Sequence, residues 1–240
     1  MCSSPRPIKS LESKFPAIVV SIVALLALSV TCGQAAMITV PNYSFESPAL
    51  TDGGTADSGI TYAANPCVIL HPDSTMFTGA GGTGTPLGGE GSQVGEIIGN
   101  SWGAWYILLG HTIAAGETYT FTVASGYRKD LSSYDNNDIV LSAESQGLSF
   151  ANLLARSSFA AADLPCGELT DFSVQYTVPT GSPFIGQKLA IWGTSGSNTD
   201  GQYATAFDNI RVDVTSIPEP GTIALLAIGL FCATAWRKRK

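Results

Sequence analysis

The chain has 240 residues, room for one domain of ordinary size or two small ones. A composition of 45% hydrophobic and 13% charged residues excludes a charge-driven disordered chain, and the 26 glycines show no three-residue period, which excludes collagen. The formal net charge is −7, yet the apolar and basic residues gather at the two ends and leave an acidic, Gly/Thr/Ser-rich middle.

The first element is an address. Arg6, Lys9 and Lys14 stand against the single Glu12, an apolar run interrupted only by Ser21 and Ser29 fills residues 17–30, and Thr31-Cys32-Gly33-Gln34-Ala35-Ala36 follows. This is the charged start, apolar core and small-residue cut site of a secretory signal peptide. Gly33 and Ala35 suit the positions just before a cut, so cleavage is expected after Ala35 and residues 1–35 form the signal peptide. An uncleaved anchor is the alternative, but the run is shorter than the ~20 residues a spanning helix prefers. Ser29-Val30-Thr31 before Cys32 makes a poor lipoprotein box.

Residues 36–217 read as one all-β domain, because period-two alternation recurs and helical periodicity is scarce. In chain order, strands are expected at 37–40, 43–47, 67–70, 93–98, 105–109, 118–123, 138–143, 171–178, 189–192 and 210–214. The clearest is Thr118-Tyr119-Thr120-Phe121-Thr122-Val123, which puts Tyr119, Phe121 and Val123 on one face. Ala115-Gly116, Pro179-Thr180-Gly181 and Asp200-Gly201 mark turns between strands. The Gly-rich stretch 79–91 reads as a long loop at the end or edge of the sandwich, and one helical turn is expected near 148–154. About ten short strands with polar turns favour a single jelly-roll-like β-sandwich. Cys67 and Cys166, each beside a proline, are the only cysteines left once both ends are processed. In an oxidising compartment a Cys67–Cys166 disulfide is expected, with two buried thiols as the alternative.

The last element, residues 218–240, is a second address. Ile217-Pro218-Glu219-Pro220-Gly221 breaks away from the sheet and leads into apolar residues 222–236, a short membrane helix, then Arg237-Lys238-Arg239-Lys240. The terminal cations hold that end on the cytoplasmic side and leave the body outside. An ordinary C-terminal anchor is one reading. Pro218, Glu219 and Pro220, the short apolar span and the basic end together resemble the PEP-CTERM sorting signal of bacterial proteins. The resemblance implies export and recognition by a membrane-embedded exosortase, and display at the cell surface or in the extracellular matrix. Between residues 36 and 217 five bases face seventeen acids, a net charge of −12. Such a body repels nucleic acid and anionic lipid, so neither is expected as its partner.

Two motifs frame the body: Val40-Pro41-Asn42-Tyr43-Ser44-Phe45-Glu46-Ser47-Pro48 at its start and Ala206-Phe207-Asp208-Asn209-Ile210-Arg211-Val212 at its end. With Gly91-Ser92-Gln93-Val94 and the segments at 115–121 and 172–177, they resemble galactose-binding-like jelly rolls. That group includes carbohydrate-binding modules and the Stig cyclases of hapalindole biosynthesis. The resemblance implies that the first and last strands lie side by side, with a structural Ca2+ where they meet. Glu46 and Asp208 would supply carboxylates to it, and Asn42 and Asn209 amide oxygens, which is the hard-oxygen set calcium requires. The plainer alternative is that Asp208 and Asn209 cap a strand and Glu46 is solvated. Asp135-Asn136-Asn137-Asp138 lacks the Gly and distant Glu of an EF-hand loop and reads as a turn.

Signals for catalysis are thin. The two histidines, His71 and His111, fall in turn-like positions, and neither Gly-x-Ser-x-Gly nor His-Glu-x-x-His occurs. A cyclase would need an acid that no motif places. Aromatic residues Trp102, Trp105, Tyr127 and Tyr134, with Tyr106, Trp192 and Tyr203, offer rings on which a sugar could stack, although burial is the usual fate of large aromatics. The leading expectation is a non-catalytic, calcium-holding sandwich that binds polysaccharide or another matrix component. The alternative is a calcium-dependent cyclase-like or glycan-processing enzyme on the same fold.

Overall fold

Alternation builds strands here because every second side chain enters a dry interior. In residues 117–127, Tyr119, Phe121 and Val123 are fully buried, while Thr118, Thr120 and Thr122 are only partly so. The computed structural model describes residues 35–64, 67–99, 103–131, 136–144, 150–196 and 203–216. The signal peptide, Trp102, Tyr134 and the sorting residues Pro218, Glu219 and Pro220 lie outside the described residues.

The first strands are β1 (Ala36–Ile38), β2 (Thr55–Asp57), β3 (Thr61–Ala64), β4 (Cys67–Leu70), β5 (Val94–Gly99) and β6 (Gly103–Thr112). They are followed by β7 (Glu117–Tyr127), β8 (Asn137–Ala143), β9 (Leu153–Phe159), β10 (Thr170–Thr177), β11 (Lys188–Ser195) and β12 (Tyr203–Ser216). One sheet runs in the order β10-β7-β12-β5-β4-β2 with β1 also on β12, and the other runs β3-β6-β11-β8-β9. Among the described residues no helix is long and apolar enough to cross a membrane.

The two sheets close on one apolar core. Trp105 from β6 is its centre, edge-on to Phe121 at 6.2 Å and to Phe207 at 5.6 Å. A second, smaller cluster lies on the outer face of the seven-stranded sheet. There Phe77, just before the Gly-rich loop, and Ala80 within it pack on Leu70, Val94, Ala124, Leu169 and Ala206. The segment therefore covers that face, and the outward-pointing Val94 and Glu96 of β5 are buried as well.

β12 organises the molecule. Along one side it pairs with β7; along the other, residues 203–207 pair with β5 and residues 212–214 with β1. The first and last strands do lie side by side, Ala36 opposite Val214. Between the two partners the register of β12 breaks, from Asp208 to Arg211.

Several expected elements differ. Residues 43–47 form no strand: Asn42 and Phe45 adopt left-handed backbone angles, φ 49° and 56°, and turn the chain. The helical turn near 148–154 shrinks to a 3-10 turn at Phe150–Asn152, because residues 153–159 enter β9. The short strands β2 and β3 and the irregular β9 were not anticipated.

The Cys67–Cys166 disulfide does not form. Cys67 is opposite Ile97, Ile97 opposite Thr205, Thr205 opposite Tyr127, and Tyr127 bridges to Cys166. Four steps of about 4.8 Å across a sheet separate the thiols by ~19 Å, far beyond the roughly 7 Å limit between bridged Cα atoms. Cys67 is buried, with its thiol pushed up to about 12 by that burial, whereas Cys166 is exposed. In the native protein Cys166 should therefore alkylate readily and Cys67 only on unfolding. A linked Cys67–Cys166 peptide in a non-reducing map would contradict this.

Candidate functional site

The break in β12 creates the first site. Where β5 has ended and β1 has not begun, two loops fill the gap. The turn at 41–46 is tied in by Ile210 N–H donating to Tyr43 O at 2.8 Å. Asn42 closes that turn with both ends of its amide: Nδ2 donates to Ser47 O at 2.8 Å and Oδ1 accepts from Ser47 N at 3.1 Å. Asn209 sits at φ 48°, a left-handed conformation that asparagine tolerates better than most residues.

The second loop, residues 88–93, crosses over both framing carboxylates. Glu46 Oε1 accepts from the N–H groups of Ser92 and Gln93, each at 2.8 Å. Asp208 Oδ2 accepts from Glu90 N at 2.5 Å, and its Oδ1 from Asn209 N at 2.6 Å. Contact is so close that a Cβ on Gly91 would lie 2.3 Å from Glu46 Oε1, and one on Gly89 2.7 Å from Asp208 Oδ2. Only glycine allows the backbone this near. Glu90, between them, accepts from Tyr43 OH at 2.8 Å.

The electrostatics are unusual. Asp208 is 0% exposed, and burial raises its carboxyl to about 8. The N–H groups of Glu90 and Asn209 oppose that rise, and the charges of Glu46 and Glu90 reinforce it. A dry carboxyl beside two further acids is a place where a cation relieves both burial and repulsion. Among the described residues no three His, Cys, Asp or Glu side chains are grouped to hold a metal by themselves. Calcium is also satisfied by backbone carbonyls and water, and Glu46 and Asp208 keep lone pairs free for it, so the donor set fits that ion.

The second site is an end of the sandwich. Strands β3, β5, β7 and β11 end here, and β4, β6, β8 and β12 begin here. At these strand ends three buried polar side chains bridge the sheets: Thr205 Oγ1 donates to Asn137 Oδ1 at 3.1 Å and lies 3.3 Å from Ser195 Oγ. Asn137 Nδ2 is buried and has no hydrogen-bond partner among the described residues, and the same holds for Trp105 Nε1. All of these groups are neutral.

Among the described residues, Trp105, Tyr127 and Trp192 of the expected aromatic platform are buried. Trp105 is 0% exposed within the core, and Tyr127 is buried with its hydroxyl donating to Ala161 O at 2.8 Å. Trp192 is buried too, its indole N–H donating to Ser142 Oγ at 3.0 Å. Burial won because alternation carried these rings to closed faces. His71, expected at the surface, is also buried, with Nδ1 3.1 Å from Asp52 Oδ1. His111 lies in β6, its Nε2 2.9 Å from Glu117 Oε2. Asp138 pairs with Arg156 at 2.7 Å. Sequence reasoning missed Glu90, Gln93, Asn137, Ser195 and Thr205 as site residues. For Gln93 a signal existed, since it lies in the Gly91-Ser92-Gln93-Val94 motif.

The HpiC1 cyclase family matches residues 36–213, and the PEP-CTERM protein-sorting motif matches residues 216–240. No curated protein matches the chain. Among solved structures, the Stig cyclase Fisc from Fischerella sp. TAU, in complex with (3Z)-3-(1-methyl-2-pyrrolidinylidene)-3H-indole, is similar at 16% identity and TM-score 0.60. The match covers 77% of this chain and 100% of that one. A cyclase from the same source in complex with 4-(1H-indol-3-yl)butan-2-one gives 16% identity and TM-score 0.60, over 76% of this chain and 99% of its own. A CBM4 structure reaches only TM-score 0.39 at 14% identity, over 66% and 96% of the two chains. At these identities the likeness establishes the jelly-roll fold.

Proposed function

This chain belongs to the HpiC1 cyclase family, and from that premise we propose that it is a calcium-stabilised binding module of the bacterial envelope rather than a cyclase. Its PEP-CTERM motif marks it for export and exosortase-mediated sorting to the cell surface. In this reading the signal peptide is cut after Ala35, the tail beyond Pro218 engages the membrane until the exosortase processes it, and the body joins the surface or matrix.

The observation that carries the calcium is Asp208: a fully buried carboxyl, flanked by Glu46 and Glu90, under a loop of glycines shaped around it. Glu46 and Asp208 would hold the ion, with Asn209 and backbone carbonyls nearby. When bound, the ion supplies charge neutralisation and locks the two ends of the body together; it takes no part in chemistry.

The ligand is a carbohydrate or another neutral, hydroxyl-rich matrix component, taken at the end where Asn137, Ser195 and Thr205 face the interior. Neutral amides and hydroxyls match sugar hydroxyls, and the open donor on Asn137 favours a ligand that accepts a hydrogen bond. Family membership favours the second reading, a cyclase. Such chemistry asks for an acid, and the described carboxyl other than Asp208 that stays protonated near neutral pH, Glu96, lies on the outer face of its sheet, the opposite face from the one that carries Thr205.

A glycan array probed with and without EDTA tests the proposal. The expected result is binding that calcium strengthens and that Asn137→Ala weakens at least ~10-fold, the equivalent of one lost hydrogen bond of about 1.4 kcal/mol. Turnover of an indole-bearing substrate without glycan binding would overturn it in favour of the cyclase.

A further inference from the structure

Glu96 is a second buried carboxyl, and neither the calcium nor the ligand reading uses it. It lies on β5 between Val68 of β4 and Ala206 of β12, on the sheet face that the Gly-rich loop covers. Its side chain is 0% exposed and, among the described residues, neither oxygen has a hydrogen-bond partner. Natural proteins rarely leave a buried carboxylate without a hydrogen bond.

One cation faces it. Arg128, just beyond the end of β7, places Nη1 3.5 Å from Glu96 Oε1. The rest of that guanidinium is held by Asp130, Nε donating to Oδ1 at 2.9 Å and Nη2 to Oδ2 at 2.5 Å. Asp73, on the loop packed against this segment, lies within electrostatic reach of Arg128. Lys129 turns its Nζ away to Ser74 O at 3.1 Å. From β4 the nearest titratable group is the Cys67 thiol. Burial raises the Glu96 carboxyl to about 7; Arg128 opposes that rise, and the charge of Asp130 adds to it.

Arg128 begins the β7–β8 connection, just past one of the four strands that finish at the ligand end. Its neighbours dock that segment through Tyr127 N to Pro165 O at 3.1 Å and Lys129 N to Met76 O at 2.9 Å. We propose that Glu96 and Arg128 form a proton-controlled latch. Ionised Glu96 draws Arg128 in and fastens the start of the β7–β8 connection to the sheet; protonated Glu96 lets it go. Only a proton moves, between solvent and the Glu96 carboxyl. With Glu96 neutral, Arg128 keeps Asp130 alone, a partner on the same exposed segment that anchors nothing to the sheet. As regulation of the ligand end, the latch rests on the binding reading, but its physical test does not.

The test is hydrogen exchange of residues 127–131 in the calcium-loaded body at pH 6 and pH 8, corrected for intrinsic exchange, with no ligand present. The expected result is protection about 10-fold higher at pH 8, as one unit of proton linkage supplies, and no pH response in Glu96→Gln. A carboxyl-detected NMR titration of wild type, which needs no variant, should give Glu96 a midpoint near neutrality. Equal protection at both pH values, a response that persists in Glu96→Gln, or a response confined to residues 86–93 around Asp208 would each overturn the latch. Absence of glycan binding would leave these readouts unchanged, so the two proposals fail separately.

Discussion

Stripped of calcium, the body is expected to lose stability as pH rises from about 4 to 8, the reverse of the usual carboxylate behaviour. Asp208 drives this. Its ordinary value is 3.8 and burial lifts it to about 8 in the folded chain. A folded value above the unfolded one means that the folded state holds its proton longer. The stabilisation is therefore complete below pH 3.8 and disappears as pH climbs through 8. Glu96 adds a loss of the same sign between 4.5 and about 7. Together these shifts correspond to a loss on the order of 6 kcal/mol between pH 5 and 8, which would lower Tm by roughly 10–25 °C in a domain of this size. Thermal melts in EDTA at the two pH values measure it, and Asp208→Asn should remove most of the difference. Calcium selects the ionised Asp208, so its binding should release a proton near neutral pH and restore Tm. At 100 times Kd the gain is about 2.7 kcal/mol. A melting temperature that is flat with pH in EDTA and indifferent to calcium would remove both Asp208 titration and the metal.

The strands were legible where burial is one-sided. β7 and β10 alternate because one face enters the core and the other meets water, so Tyr119, Phe121 and Val174 announce themselves. β9 reads Leu-Leu-Ala-Arg-Ser-Ser-Phe at a sheet edge and has no such contrast. Tyr43 to Ser47 alternates in sequence yet forms a turn, because the backbone must bend to bring Glu46 under the loop at 88–93. The framing carboxylates were visible because their motifs carry them; Glu90 was not, since its place depends on a loop folding over β12 from 118 residues away. Nor was the burial of Glu96. Alternation assigns it to the outward face of β5, and nothing local says that Phe77 and Ala80 will cover that face. The cysteines failed for a related reason: adjacent prolines describe loops, whereas distance is set by how many strands intervene.

The largest loss from a single substitution is expected at Gln93→Ala. Gln93 is 1% exposed and acts as the clasp of the N-terminal frame. Its Nε2 donates to Phe45 O at 2.7 Å and Pro48 O at 3.0 Å, and its Oε1 accepts from Leu50 N at 2.5 Å. Alanine strips three backbone groups of their partner at once, one in buried and two in half-buried surroundings. At roughly 1–3 kcal/mol for each group left unsatisfied, the expected cost is about 3–6 kcal/mol. The same clasp fixes residues 45–50, and therefore Glu46, against β5. Calcium affinity should accordingly fall by more than about 10-fold, although Gln93 itself touches no carboxylate through its side chain. Gln93→Glu separates the two contributions: it keeps an acceptor for Leu50 N, loses both donors, and adds a fourth acid near Glu46. Denaturant unfolding with and without calcium gives both numbers from one experiment. A loss below 1 kcal/mol would mean that water replaces the amide and that the frame is held by Glu46 and the Gly-rich loop alone.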